Sequence, residues 1–210
     1  MPRPPRVWFP GAWYHVMARG NNRERIFRVD ADYRRYLGLM KEALTRYECR
    51  LHAYALMTNH VHLMVETGQT HSISRAIQWL HTSYSTYVNR RHDRVGHVFQ
   101  GRYRSEIVDR DTYALELSRY IHLNPVRAAL SGDPAIYRWS SCRAYLTAGG
   151  DHLVTTTQLL SMISQDSRTQ RSLYRRFVLD GLARGQTPIG RGGQTPSGGR
   201  GLTPIFLPSC

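Results

Sequence analysis

Residues 58–66 read T-N-H-V-H-L-M-V-E and place two histidines close together inside an apolar, β-branched run. Successive side chains of a strand point to opposite faces, so His60 and His62 share one face while Val61 and Leu63 take the other. Two imidazoles held on one rigid strand can form half of a metal site. A lone H-x-H is more often structural, so its function depends on what faces it.

Hydrophobic periodicity predicts strands and helices on both sides of this stretch. The strands are predicted at 14–19, 51–57, 61–66 and 97–108. The helices are predicted at 30–48, from Ser72 or Ser74 to the polar cluster 89–94, and from Asp109 or Asp111 to Asn124. Pro125 is expected to end the third helix, because the residue before a proline is disfavoured in the helical region.

The order β-α-β-β-α-β-α matches the split βαβ arrangement of ferredoxin-like folds, an α+β class. We expect an antiparallel sheet with the first two helices on one face. If Val61, Leu63 and Val65 pack under those helices, His60 and His62 must face the other way. The third helix is then the element that remains to cover them.

The third helix carries polar residues that could meet the histidines. Tyr113, Leu117, Tyr120 and Asn124 fall on one face, and Tyr120 and Asn124 are one turn apart. An amide oxygen from Asn124 would give a divalent ion a third ligand, and that ion would polarise a phosphate while the Tyr120 phenol attacks it. Tyr113 is the rival nucleophile, and its alternative role is to anchor the start of the helix.

Charge points to the class of partner. The chain of 210 residues has a formal net charge of +14, which favours a polyanion and nucleic acid first. Lys41 is the single lysine among 29 basic residues. The planar fork of arginine suits phosphates and guanine edges, although a coding bias towards arginine would produce the same pattern. A membrane-surface protein would need a basic amphipathic anchor helix, which the sequence lacks.

The cysteines and the lack of long apolar runs indicate an intracellular protein. Cys49, Cys142 and Cys210 show no C-x-x-C spacing, which argues against a disulfide framework and against a cysteine zinc site. No apolar run approaches the roughly 20 residues of a membrane span, and we recognise no secretory signal. We therefore expect reduced thiols in an intracellular protein.

Composition divides the chain into four parts. They are a basic, proline-rich extended arm at 1–10, a catalytic domain at 11–146, a small helical appendage at 147–184 and a tail at 185–210. Helices are predicted in the appendage at 155–163 and 170–182. The tail repeats R-G-Q-T-P, G-G-Q-T-P and R-G-L-T-P and has almost no core residues. We expect it to be disordered and dispensable for cleavage.

Five segments in order resemble one protein family. H-V-H at 60–62 is similar to the HUH motif of single-tyrosine nucleases, and Y-I-H-L-N-P-V-R-A at 120–128 resembles the nucleophile segment of the transposases associated with repetitive extragenic palindromes (REP), relatives of the IS200-like transposases. The other three segments are A-R-G-N-N-R at 18–23, F-Q-G-R-Y-R at 99–104 and W-S-S-C-R-A-Y at 139–145. The resemblance extends over about residues 13–146.

The resemblance implies a ferredoxin-like palm that cleaves and rejoins single-stranded, hairpin-forming DNA through a 5′-phosphotyrosine at Tyr120, with Mg or Mn as cofactor. It makes His60, His62 and Asn124 the metal ligands, although insertion-sequence relatives usually have the longer glutamine at the last position. The resemblance also implies a bacterial protein that acts in the cytoplasm, associated with the nucleoid, as a monomer or as a homodimer. The resemblance places DNA contacts on Arg19, Asn21, Asn22, Arg23, Arg102, Arg104 and Arg127.

Two other functions are open to this sequence. A non-catalytic ferredoxin-like protein that binds single-stranded nucleic acid would explain the charge, but its usual base-stacking aromatics are poor on the central strands. It also gives no reason for Tyr120 and Asn124 to share a helix face opposite two histidines. A phosphodiesterase with two H-x-T/S motifs would need a second histidine pair, which the sequence lacks.

Overall fold

A four-stranded antiparallel sheet lies at the centre of the protein in the computed structural model, which describes residues 7–148 and 151–183. The strands are β1 (Trp13–Arg19), β2 (Arg50–Leu56), β3 (His60–Glu66) and β4 (Arg104–Ile107). They are arranged β2-β3-β1-β4, and each neighbouring pair is antiparallel. The predicted α+β, ferredoxin-like class is confirmed.

The helices lie on both faces of the sheet. α1 (Asp30–Arg46) and α2 (Ile73–Arg91) pack together, and α3 (Ala114–Arg127) contacts β2 and β3. Three helices follow α3 along the chain: α4 (Cys142–Leu146), α5 (Thr157–Ile163) and α6 (Gln170–Ala183). No helix of the described segments is long and apolar enough to cross a membrane.

Two apolar cores lie on opposite sides of the sheet. The first is formed with α1 and α2 and contains Val61, Leu63 and Val65 from β3. The second is formed with α3 and contains Met64 from β3 and Leu117 from α3. The alternation predicted for β3 is therefore present, and it directs the two motif histidines towards α3.

The predicted helical appendage packs behind α3 and shares the second core. Leu159 of α5 and Tyr174 of α6 are fully buried there. A buried polar chain joins these elements, because the ring nitrogens of His122 each lie 2.8 Å from a hydroxyl oxygen, one of Tyr174 and one of Ser141. The helices that follow the palm thus hold the back of α3 in place.

The predicted long strand at 97–108 is wrong in its first half, because only β4 pairs as a strand there. Gly101 has a φ of 64°, a left-handed conformation that interrupts an extended strand. Phe99 instead forms an isolated bridge with Gly20, and the N–H of Gln100 donates to the carbonyl of Arg19 at 2.8 Å. This segment crosses the end of β1 as a loop.

The predicted end of the third helix is also wrong, because α3 continues through Pro125 to Arg127. A proline within a helix removes its own N–H bond to the previous turn. The ring of Pro125 is buried, and the N–H of Ala128 still donates to the carbonyl of Asn124 at 3.0 Å. Tertiary packing therefore outweighs the local preference, as it often does.

The structure describes the two ends of the chain only in part. Of the predicted arm, residues 7–10 are described, and the carbonyl of Val7 accepts a hydrogen bond from the hydroxyl of Tyr14 at 2.7 Å. The tail at 185–210, with Cys210, lies outside the described residues. Cys49 and Cys142 are free, buried thiols, and burial raises the pKa of Cys142 to about 12.

Candidate active site

β3 presents His60 and His62 on the face that α3 covers. The side chain of His62 is only 4% exposed, and that of His60 is half-buried. Their ring centroids are 5.1 Å apart, and the ring planes are nearly perpendicular. Because β3 is paired with β1 on one side and β2 on the other, the backbone that carries both rings is held rigidly.

Tyr120 of α3 reaches the same place. Its ring meets that of His62 edge to face, with 5.5 Å between the centroids and an angle of 88° between the planes. The structure therefore brings the predicted tyrosine and the predicted histidine strand together. The Tyr120 side chain is half-buried, so solvent or a substrate can still reach it.

Asn124 lies one turn after Tyr120 on α3. Its amide nitrogen donates to the backbone carbonyl of Tyr120 at 2.8 Å. A carbonyl can only accept, so this bond fixes which end of the amide is nitrogen. The amide oxygen of Asn124 is the atom left for a ligand.

His15 of β1 also belongs to the site, although the sequence analysis did not include it among the candidate residues. It is 5% exposed, and its Nε2 lies 3.1 Å from Nδ1 of His62. Its ring also faces the edge of Tyr120, with 6.0 Å between the centroids. Alternation along β1 was the available signal, because it places His15 on the same face as Met17 and Arg19.

Asn59, just before the H-V-H motif, contacts the other histidine. Its Oδ1 lies 2.7 Å from Nδ1 of His60, and its Nδ2 donates to the backbone carbonyl of Arg23 at 3.0 Å. Each motif histidine therefore has a polar partner on its Nδ1 side. Such partners fix the orientation of an imidazole ring.

The three histidines are held in their neutral form. Burial lowers the pKa of His15 to about 4. Burial, with a smaller effect of the Arg19 guanidinium, lowers the pKa of His60 to about 4. The pKa of His62 is well below its ordinary value because of burial first and of His15, His60 and Arg19 next. Neutral imidazole is the form that binds metals.

These residues fit a divalent ion. With their Nδ1 atoms engaged by Asn59 and His15, His60 and His62 would bind through Nε2, and Asn124 through its amide oxygen. In residues 7–148 and 151–183, no three His, Cys, Asp or Glu side chains are grouped so that they could hold a metal. A site of two imidazoles and one amide oxygen would leave coordination positions for water or phosphate oxygens.

Tyr113, the rival nucleophile, occupies a different environment. Its phenol oxygen is buried and has no hydrogen-bond partner among the described residues. Burial, with smaller effects of Glu106, Tyr120 and Glu116, raises the pKa of Tyr113 to about 12. It caps the start of α3, which agrees with its alternative role as an anchor.

Three of the predicted DNA-contacting arginines border the site. Arg19 is directly opposite His60 in the β1–β3 ladder, and Arg104 is opposite Met17, which is itself opposite His62. The guanidinium of Arg127 lies 5.9 Å from the centre of the Tyr120 ring. Directly opposed side chains of paired strands share a face, so Arg19 and Arg104 lie on the same face of the sheet as the histidines.

The other four predicted contacts lie in loops. Asn21, Asn22 and Arg23 form a short 3-10 turn after β1, in which Asn22 and Arg23 have φ values of 50° and 60°. This turn is joined to the site through the bond between Asn59 and the Arg23 carbonyl. Arg102 is exposed in the loop before β4.

One solved structure shares the fold, and a second is less similar to it. The protein resembles a REP-associated tyrosine transposase bound to a REP hairpin, with a TM-score of 0.60 and 13% sequence identity over 74% of this chain and 92% of that one. A candidate transposase from Deinococcus radiodurans R1 aligns with a TM-score of 0.41 and 16% identity over 61% of this chain and 92% of that one. No curated protein is significantly similar in sequence.

A family model gives the assignment. The model of IS200-like transposases matches residues 9–124, which is more than half of the chain. The matched region begins before β1 and ends at Asn124, so it includes the histidine strand and the tyrosine helix. The chain therefore belongs to the family of IS200-like transposases.

Proposed function

We propose that the protein is a single-tyrosine DNA nuclease and strand transferase, with Tyr120 as the nucleophile. The observation that carries this proposal is the edge-to-face contact between Tyr120 and His62, which joins the two predicted halves of the site. Membership of a transposase family supports a DNA-processing enzyme. The assignment of Tyr120 within it rests on the geometry.

In the proposed reaction the phenol oxygen of Tyr120 attacks a DNA phosphorus, and the bond from that phosphorus to the 3′ oxygen breaks. The products are a 5′-phosphotyrosine and a free 3′-OH, and attack by a 3′-OH on the phosphotyrosine rejoins the strand. A phenol in water has a pKa of about 10, so a tyrosine nucleophile must lose its proton during attack. The phosphodiester energy is conserved in the covalent bond.

His60, His62 and Asn124 would hold Mg or Mn in this proposal. When bound, such an ion polarises the phosphate and assists loss of the phenol proton. Two imidazoles suit a transition metal, so Mn fits this ligand set better than Mg. The chain itself orients Tyr120 against the sheet and keeps the histidines neutral for ligation.

The proposed substrate is single-stranded DNA that forms a hairpin. The REP-associated transposase with a similar fold is bound to a REP hairpin, and the net charge of +14 suits any such polyanion. Arg19, Arg104 and Arg127 lie where they could contact phosphates on either side of the attacked bond. Phosphate contacts of this kind position the strand but do not read its sequence.

The test uses labelled hairpin DNA incubated with the full chain and Mn or Mg. We expect a covalent adduct that survives denaturation and maps to Tyr120. Tyr120→Phe should abolish the adduct but still bind the hairpin, whereas the matched variant Tyr113→Phe should still form it.

An adduct on Tyr120→Phe would overturn the nucleophile assignment. Binding by the unmodified chain without any adduct, over a panel of hairpins, would favour the alternative of a non-catalytic single-stranded nucleic-acid-binding protein.

A further inference from the structure

We propose that Asn59 and His15 are positioning residues, which set the tautomers of His60 and His62 so that each ring keeps its lone pair on Nε2. This role rests on the proposed function, because it concerns the residues that would hold the metal. Neither Asn59 nor His15 needs to touch the metal or the DNA.

The proton position on His60 follows from Asn59. The amide nitrogen of Asn59 donates to the carbonyl of Arg23, so its amide oxygen is the atom that faces His60. An amide oxygen only accepts hydrogen bonds, and Nδ1 of His60 must therefore carry the proton. A neutral imidazole has one N–H, which leaves the lone pair of His60 on Nε2.

The proton position on His62 depends on His15. One nitrogen of the 3.1 Å pair between Nδ1 of His62 and Nε2 of His15 must donate. If His62 donates, its Nε2 has the lone pair that a metal needs. If His15 donates, the neutral His62 carries its proton on Nε2 and cannot ligate through that atom.

The tautomer of His62 is therefore coupled to the tautomer of His15. Ligation by His62 requires His15 to keep its own proton on Nδ1 and to accept at Nε2. A residue at position 15 that offers an acceptor oxygen to Nδ1 would favour the competent form of His62. A residue that cannot accept would leave His62 free to hold its proton on either nitrogen.

The experiment compares replacements that keep an acceptor with replacements that remove it. Asn59→Asp retains an oxygen for His60, whereas Asn59→Leu does not. At position 15, His15→Gln offers an amide oxygen to His62, whereas His15→Leu does not. Asn89→Leu is the matched control, because Asn89 donates to the carbonyl of Gly96 on another part of the molecule.

The first measurement is the tautomer state of His60 and His62 by ¹⁵N-detected NMR on the metal-free chain. We expect a proton on Nδ1 of His60 in the unmodified protein, in the control and in Asn59→Asp. Asn59→Leu should give a mixture of tautomers. This readout requires neither metal nor DNA, so it stands whether or not the protein cleaves hairpins.

The second measurement is Mn²⁺ affinity, followed by electron paramagnetic resonance. Loss of a residue that orients a ligand typically weakens metal binding by about 10–100-fold, and we expect this range for Asn59→Leu and His15→Leu. Asn59→Asp and His15→Gln should restore most of the affinity. The control Asn89→Leu should bind Mn²⁺ as the unmodified chain does.

Leucine variants with unchanged tautomers and unchanged Mn²⁺ affinity would overturn the positioning role. Failure of the proposed function would look different, because the unmodified chain would then form no adduct on Tyr120 while the tautomer differences persisted. Should a leucine variant fail to fold, the acceptor-retaining variants decide, since a tautomer mixture in Asn59→Asp would also contradict the role.

Discussion

The two faces of β3 show how one strand serves packing on one side and chemistry on the other. On the α1 and α2 side, Val61, Leu63 and Val65 are buried among apolar neighbours and are fixed by shape. On the α3 side, His60 and His62 are fixed by hydrogen bonds to Asn59 and His15. Buried polar groups need such partners, so the second face depends on a few specific contacts rather than on volume.

The largest difference between the two faces should appear when Leu63 and His62, which are neighbours in β3, are replaced in turn. Leu63→Ala removes a fully buried side chain and should lower the free energy of unfolding by about 2–5 kcal/mol. His62→Gln should leave most of that stability but abolish Mn²⁺-dependent adduct formation. Chemical denaturation and the hairpin adduct assay measure the two effects. Formation of the adduct by His62→Gln at the normal rate would contradict a chemical role for this face of β3.

Acid should weaken the α3 side through its buried histidines, one of which is His122 of α3. Burial lowers the pKa of His122 to about 3, from the ordinary value of 6.5. The unfolded chain therefore binds the extra proton first, and stability is lost as pH falls from about 6.5 towards 3, by up to about 1.4 kcal/mol per pH unit. His122→Gln should reduce this slope in denaturation curves measured from pH 7 to pH 4. An unchanged slope would show that other groups carry the acid sensitivity.

A smaller effect should come from the contact between α6 and α3. A methyl group at Gly181 would lie 2.7 Å from Cδ of Arg119 and 2.9 Å from a methyl carbon of Leu123. Such overpacking costs about 1–3 kcal/mol, against a gain of about 1 kcal/mol from alanine in a helix, so Gly181→Ala should destabilise the fold by up to about 2 kcal/mol. The control is Gly38→Ala in α1, where nothing lies within 4 Å of the added carbon and where alanine favours a helix by about 1 kcal/mol. Thermal melts should move in opposite directions for the two variants.

The smallest effect is expected for deletion of residues 185–210. The repeated glycine and proline segments there have almost no residues that could join either core. Removal should leave adduct formation and the melting temperature unchanged, while nonspecific DNA affinity falls with the lost arginines. A truncated chain that no longer cleaves would show that the tail belongs to the site.

Local periodicity predicted most of the fold and the two elements that form the site, the histidine strand and the tyrosine helix. The alternation of β3 and the phase of Tyr120 and Asn124 on α3 are both readable within one element. His15 could not be assigned in this way, because its contact with His62 depends on the pairing of β1 with β3, strands that are 47 residues apart at this contact. Pairing over such a distance leaves no periodic signal in a single sequence.

Other differences arose where tertiary contacts outweighed a local preference. The alternating pattern at 97–108 predicted a full strand, but the positive φ of Gly101 and the bridge from Phe99 to Gly20 shorten it. Pro125 was expected to end the third helix, but its buried ring is tolerated within the last turn. Asn59 was missed because its role depends on a contact with the carbonyl of Arg23, which lies 36 residues earlier in the chain, as well as on its contact with His60.

The bridge from the Arg23 carbonyl through Asn59 to His60 also has a thermodynamic consequence. Asn59 holds the turn at Asn21–Arg23 with one end of its amide and the ring of His60 with the other, so a shift of the turn would change the contact that orients the ring. If a hairpin bound at that turn tightens the hold on a metal, the metal must strengthen hairpin binding by the same factor. Metal supply would then control which molecules retain their DNA, before any bond is cut.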